Sequence, residues 1–503
     1  MTRHETSKRV MRVIVAVVTS VLLIAAFAAL AVVRMPDLLV DGSSGTLGSS
    51  HRIVQERLET YCPARMQLPD STDWGDSEYR ASDGDLATST ALAAFGSVYA
   101  STATPLDLSG DAKTASLKAP DQPVSRDSMV LRDDGDYSRL LDTNLLKAGD
   151  GSGHAGVIVS HASDGDLRGI SAATCTSPAM KQSFLITSTA TGTRQQLVLA
   201  NPSSKATTVS ISVVGSKDSG RLGLSTAGSA TVAAEGETIV DLAAAASGQD
   251  GLYVTVNSGA TPVGAVVRAT ASSGLTPKGS DFAMPVGDAS VTDVIPGVSE
   301  GDRVSLYVYG EDAGEVALSW ATESGAKTIR TEQVKADRVA VIDLGKAPKG
   351  AEGIIVSGGD HAFVASAKAT RSGSSGQEDF ALLPTSAPAV SSGLAIADGV
   401  DTTLVFVNAG DEEATVKLAF MDETGKAGDE RDVTVKAHAA TTVKGEGAAA
   451  IVSDAGKTVS WGARITGGGL DSAKTAGLSV VAPTTLAVRE EIVKAVPDQA
   501  IVR

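Results

Sequence analysis

The chain has 503 residues, a formal net charge of −16, 42% hydrophobic residues and only 4% aromatic ones. The hydrophobic share excludes a chain disordered throughout. Four of the 43 bases and one of the 59 acids lie in the first twelve residues, leaving 39 bases against 58 acids, with no Lys/Arg cluster interleaved with aromatics. Such a surface repels phosphate backbones, so nucleic acid is not an expected partner.

The most decisive stretch comes early. Val13 to Val33 reads VIVAVVTSVLLIAAFAALAVV, without a charge and with Thr19 and Ser20 as the polar interruptions. At the rise of a helix this is roughly 31 Å of apolar cylinder, the length of a bilayer core. Residues 1–12 carry Arg3, Lys8, Arg9 and Arg12 against Glu5, a basic flank held on the cytoplasmic side. The expectation is a single-pass cell-membrane protein with a cytoplasmic N-terminus, a lipid bilayer contacted through Val13–Val33, and the bulk of the chain extracellular. A cleaved secretory signal is the alternative, since Ala26-Phe27-Ala28 and Ala29-Leu30-Ala31 offer cleavage-type spacing. The apolar core is longer than such signals usually carry. Either reading exports the chain.

Residues 34–50 are rich in Gly and Ser and read as a flexible tether. Residues 51–180 form a β-rich N-terminal extracellular region, in which short apolar runs such as Met129-Val130-Leu131 and Val157-Ile158-Val159 alternate with Gly, Asp and Ser turns. Its opening, HRIVQERLETYC, suits a short helix or a strand. Cys62 and Cys175 are the two cysteines of the chain, and in an oxidising compartment such a pair is expected to be bonded. Closing that 114-residue loop restricts the unfolded chain by about 4 to 5 kcal/mol.

From about residue 181 the chain repeats at a period near 100. Val263-Gly-Ala-Val-Val-Arg-Ala-Thr270 matches Phe363-Val-Ala-Ser-Ala-Lys-Ala-Thr370 and Val459-Ser-Trp-Gly-Ala-Arg-Ile-Thr466, and the segments closing each unit run into Pro285, Pro384 and Pro483. Alternation puts Val263, Ala265, Val267 and Ala269 and their counterparts on a core face, and a cation and a threonine on the other. The boundaries are 181–286, 287–385 and 386–485, followed by a tail at 486–503. Six or seven strands per unit suit an all-β chain of tandem β-sandwich-like domains after the transmembrane helix. A β-propeller, with two four-stranded blades per unit, is the alternative.

Three features together resemble a family of uncharacterised actinobacterial single-pass membrane-anchored, β-rich extracytoplasmic proteins: Cys62-Pro63 after one N-terminal span, Cys175, and the strand Leu197-Val-Leu-Ala-Asn201-Pro202. Members often have a tryptophan before that strand, where this chain has Phe184-Leu185. The resemblance implies no activity and transfers no catalytic residue.

Chemistry-bearing patterns are sparse. His154 and His161, seven apart on a strand, fall on opposite faces and make a poor metal pair. Gly297-Val-Ser299-Glu-Gly301 has the hydrolase-elbow spacing, but an apolar strand pattern follows the serine where a helix is required. Asp-Gly-Asp at 83–85, 134–136 and 164–166 offers oxygen ligands without the continuation of a calcium loop, and reads as turns. No metal or cofactor is expected.

Arg268, Lys368 and Arg464 recur in register and form either a periodic cationic face for an anionic polymer or pairs with acids such as Asp281 and Asp379. The expected function is a non-catalytic structural or binding protein of the cell envelope, with a cell-wall polymer as its partner. The alternative is an accessory subunit of a membrane enzyme or exporter handling an envelope polymer.

Overall fold

A computed structural model describes residues 18, 49–69, 81–106, 113–120, 129–226, 228–456, 458–487 and 490–495. The Val13–Val33 stretch, except Val18, lies outside them, as do residues 1–12 and most of the 34–50 tether. Among the described residues no helix is long and apolar enough to cross a membrane. Two strands, Ser49–Val54 and Glu490–Ala495, pair as a separate two-stranded sheet, and with the strand Arg57–Cys62 of the next sheet most of HRIVQERLETYC is strand rather than helix.

Residues 54–489 form one compact body of antiparallel sheets. It contains four units of one topology. The second unit shows the scheme: eight strands at Lys181–Ile186, Thr193–Asn201, Thr207–Gly215, Ser229–Val232, Gly236–Asp241, Leu252–Ser258, Gly264–Ser273 and Thr276–Ala283. Its first, sixth, third and fourth strands make one sheet in that order, and its fifth, second, seventh and eighth make the other. The third unit (Thr292–Leu383) and the fourth (Ser391–Val481) repeat this order, with Thr484–Thr485 added to one sheet of the fourth. The β-rich region before them, from Arg57 to Thr174, has the same eight-strand order and is a fourth copy of the unit.

Period-2 alternation explains why both faces of these sheets are covered. In the sixth strand of the second unit, LYVTVNS, Leu252, Val254, Val256 and Ser258 point into the core between the two sheets of that unit, and Tyr253, Thr255 and Asn257 point away from it. The outward faces meet neighbouring units. Val198, Ala200 and Val266 pack with Tyr61 of the first unit. Leu185 and Val214 pack with Tyr307 and Val364 of the third. Val294 and Ile355 pack with Val405 and Val407 of the fourth, whose core is continuous with Ala91, Ala93 and Val157 of the first. The contacts run around a cycle, so the units form a closed ring of sheets. The two sheets of each unit pack on a shared core. The two sheets of a unit are interleaved along the chain rather than being consecutive halves.

The eighth strands, Gly169–Thr174, Thr276–Ala283, Glu378–Leu383 and Ser479–Val481, meet at the middle of the ring. Two fully buried carboxylates tie them together. Asp281 accepts hydrogen bonds from the Ala172 N–H (3.0 Å), the Leu382 N–H (2.8 Å) and the Ser479 hydroxyl. Asp379 accepts at Oδ2 from the Ile170 and Leu478 N–H groups, both at 2.9 Å, while its Oδ1 has no donor. Burial pushes both acids up, Asp379 to about 8. Gly169 (φ +128°) leaves the space Asp379 occupies, because a Cβ there would come within 2.4 Å of its Cγ.

Candidate functional site

The outward faces leave a trough between the second and third units. One wall is the first strand of the second unit, whose Lys181 and Ser183 share a face with Tyr253, Thr255 and Asn257 of the paired sixth strand. The opposite wall comes from the third unit. In its second strand, RVSLYVY, alternation sends Val304, Leu306 and Val308 into the core and Tyr307 and Tyr309 outward. Tyr309 stacks on Tyr253 with ring centroids 3.9 Å apart and planes 11° apart, which brings the two units into direct aromatic contact.

The trough has two lobes, of about 480 and 510 Å³, which share Lys181, Tyr253, Tyr309 and Glu311. Both fall within the ~300–1,000 Å³ of ligand clefts, which favour domain junctions. The Tyr309 hydroxyl donates to Asp337 Oδ1 at 3.1 Å. Burial first, and then this bond, push the Tyr309 phenol up, so it stays a neutral donor at ordinary pH. Gln182 borders the first lobe, but its side chain is in phase with the core residues Phe184 and Ile186; it is 7% exposed and its amide Nε2 donates to Val263 O at 2.6 Å.

A family model described as a family of unknown function, DUF5719, matches residues 130–446, which is 317 of the 503 residues. The chain belongs to that family. The DUF5719 match starts in the fifth strand of the first unit and ends after the fifth strand of the fourth, so the trough lies inside it. No curated protein matches the chain.

The residues singled out from sequence lie elsewhere in this DUF5719 fold. Cys62 and Cys175 are bonded, joining the end of the first strand of the first unit to the residue after its eighth. Arg268 is 6% exposed and donates to Gln67 of the first unit at 2.5 Å. Lys368 sits with its Nζ 4.1 Å from the centre of the Phe380 ring, and burial pushes its ammonium down. Arg464 donates to Val298 O (2.9 Å) and Glu352 Oε2 (2.8 Å) of the third unit. All three are engaged inside the ring, and Asp281 and Asp379 are taken up by the groups at its middle rather than by these cations.

The other candidates resolve into turns. Ser299 lies between strands Thr292–Pro296 and Arg303–Tyr309, and its N–H donates to Asp302 Oδ2. The Asp-Gly-Asp turns at 83–85 and 164–166 lock together: Asp85 accepts from the Ser163 N–H and hydroxyl and from the Asp164 N–H. His154 bonds Thr143 Oγ1 through Nδ1 at 2.8 Å. Among the described residues no group of His, Cys, Asp or Glu could hold a metal ion.

Sequence reasoning missed Tyr253 and Tyr309. Their signal was available: both are aromatic residues on the non-core phase of a strand, in a chain with seven tyrosines.

Proposed function

We propose that this protein is anchored in the cell membrane by Val13–Val33, faces outward, and acts without catalysis as a structural and binding protein of the cell envelope. The observation that carries the reading is the trough itself, a two-lobed polar cleft built around an aromatic stack and held between two units of a closed ring. A closed ring of packed sheets is a rigid support, and binding residues set on strands hold their geometry better than residues on loops. Outward placement is supported by the Cys62–Cys175 bond, because structural disulfides persist in oxidising compartments. The basic flank of residues 1–12 agrees with that orientation.

Cross-linking in intact cells with the tagged full-length chain, followed by mass spectrometry of the captured material, tests this reading. Enrichment of envelope polymer on the chain supports it. Specific capture of a membrane synthase or exporter replaces it with the accessory-subunit role, and capture of cytoplasmic components overturns the orientation.

A further inference from the structure

We propose that a second copy of this chain docks by strand addition on the edge strand Gly325–Val334 of the third unit, antiparallel to its counterpart about a two-fold axis at Thr331. This adds a self-association surface to the envelope reading and does not depend on the trough.

Each unit ends one of its sheets on its fourth strand, whose outer side is paired with no other strand among the described residues. In the first, second and fourth units that strand is short: Ala115–Lys118, Ser229–Val232 and Arg431–Val435, of 4, 4 and 5 residues. A short edge strand is one of the ways a sheet is kept from pairing with another chain. The third unit departs from this, with a fourth strand of 10 residues that follows the third through a turn at Glu323-Ser324. Ala326, Lys327, Thr328, Arg330, Thr331 and Gln333 are exposed along it. Three copies of the unit close the same sheet with half that length, so packing inside the unit does not account for the extra residues.

Charge selects the partner and its direction. Charges on an edge discourage pairing unless the incoming strand carries them in complementary order. Facing residues of an antiparallel pair lie on one side of the sheet, and side chains alternate, so a two-fold between identical strands passes through a residue. With the axis at Thr331, Arg330 of each copy faces Glu332 of the other, and Ile329 faces Gln333. Moving the axis one residue either way sets Arg330 against Arg330 or Glu332 against Glu332. Within one copy Arg330 and Glu332 already form an ion pair, so the second copy completes a set of four charges of alternating sign. Arg330–Val334 pair regularly with Gly314–Leu318, and the bulge of this ladder falls just before them, at Ile329.

The test is disulfide trapping of the full-length chain in detergent micelles, read on non-reducing gels. Cys62 and Cys175 are bonded to each other, so one introduced cysteine is the single free thiol. Thr331→Cys lies opposite its own copy at the ~4.5–5.5 Å Cα spacing of facing residues, within the reach of a disulfide. It is expected to cross-link as a dimer on mild oxidation. Thr231→Cys, exposed on the corresponding strand of the second unit, is expected to stay monomeric. In analytical ultracentrifugation Glu332→Arg, which sets arginine against arginine, is expected to weaken dimerisation at least ~10-fold. Arg330→Glu/Glu332→Arg is expected to restore it.

Absence of a cross-linked dimer from Thr331→Cys overturns the proposal. Equal cross-linking of the two cysteine variants shows random collision and overturns it too. A dimer that Glu332→Arg leaves intact lies on another surface, against the proposal.

Discussion

The carboxylate of Asp281 and the hydroxyl of Ser479 lie 198 residues apart in the chain and 2.9 Å apart in the fold. This one bond joins the second unit to the fourth across the middle of the ring. The Ala172 and Leu382 N–H groups converge on the same carboxylate from the first and third units, so one side chain serves all four. Asp281→Ala leaves two backbone donors and a hydroxyl buried without an acceptor. The expected cost is about 2–5 kcal/mol. Urea unfolding checks it, with a lower midpoint and an unchanged slope as the expected result.

Asp379 gives the opposite expectation on conservative replacement. Both of its accepted bonds fall on Oδ2, and Oδ1 has no donor, so an asparagine carbonyl can take over both. Burial holds the folded pKa of Asp379 at about 8, above the ordinary carboxylate value. The fold therefore keeps a proton that the unfolded chain gives up. The stability contributed by this group is complete below about pH 4 and declines as pH rises towards about 8. Asp379→Asn is expected to flatten the fall in stability between about pH 5 and 9, gaining on the order of a few kcal/mol over the native chain at the alkaline end. Thermal melts across that range check this; parallel pH profiles for the two proteins would sink it.

The disulfide closes the first unit by joining Cys62 to Cys175 across 113 positions. Constraint of the unfolded chain over a loop of that length is worth about 4 to 5 kcal/mol in the entropic account. The paired variant Cys62→Ser/Cys175→Ser is expected to unfold at lower urea by about this amount. Adding reductant to the native protein should reproduce the loss.

Arg464 and Glu352 connect the fourth unit to the third with both side chains mostly covered, at 14% and 18% exposure. Breaking such a pair on one side leaves an uncompensated charge and an unmet Val298 carbonyl. Arg464→Gln is expected to cost about 1–3 kcal/mol. Arg464→Gln/Glu352→Gln, which removes both charges, should recover part of that loss in a double-mutant cycle.

Much of the fold was legible in the chain because alternation marks faces. The core face of Val263, Ala265, Val267 and Ala269 is found as expected, and so are its counterparts at Phe363 and Val459. The first unit escaped recognition as a copy because its seventh strand, GHAGVIVSHA, lacks the cation and the closing threonine that mark the other three. Interleaving was not legible, since alternation says which way a side chain points but not which sheet its strand joins. The trough was hidden for a related reason. Tyr253 and Tyr309 belong to different units and meet through faces that a unit-by-unit reading assigns to solvent. Arg268 and Arg464 were legible as a regularity, but the side that looks outward from one unit is the side that meets the next.

The ring also fixes where the chain enters and leaves it. Leu486, just past the last strand of the fourth unit, takes the Gly151 N–H of the first on its carbonyl and donates its own N–H to Ser391 O. Entry and exit therefore share one junction among four that are topologically alike. A circular permutant opened at the Gly287-Asp288 connection, with residues 57 and 487 joined by a short linker, would keep both sheets of each of the four units. Such a permutant would place its new termini in the lining of the trough, between the second and third units, instead of at the junction of the fourth and the first.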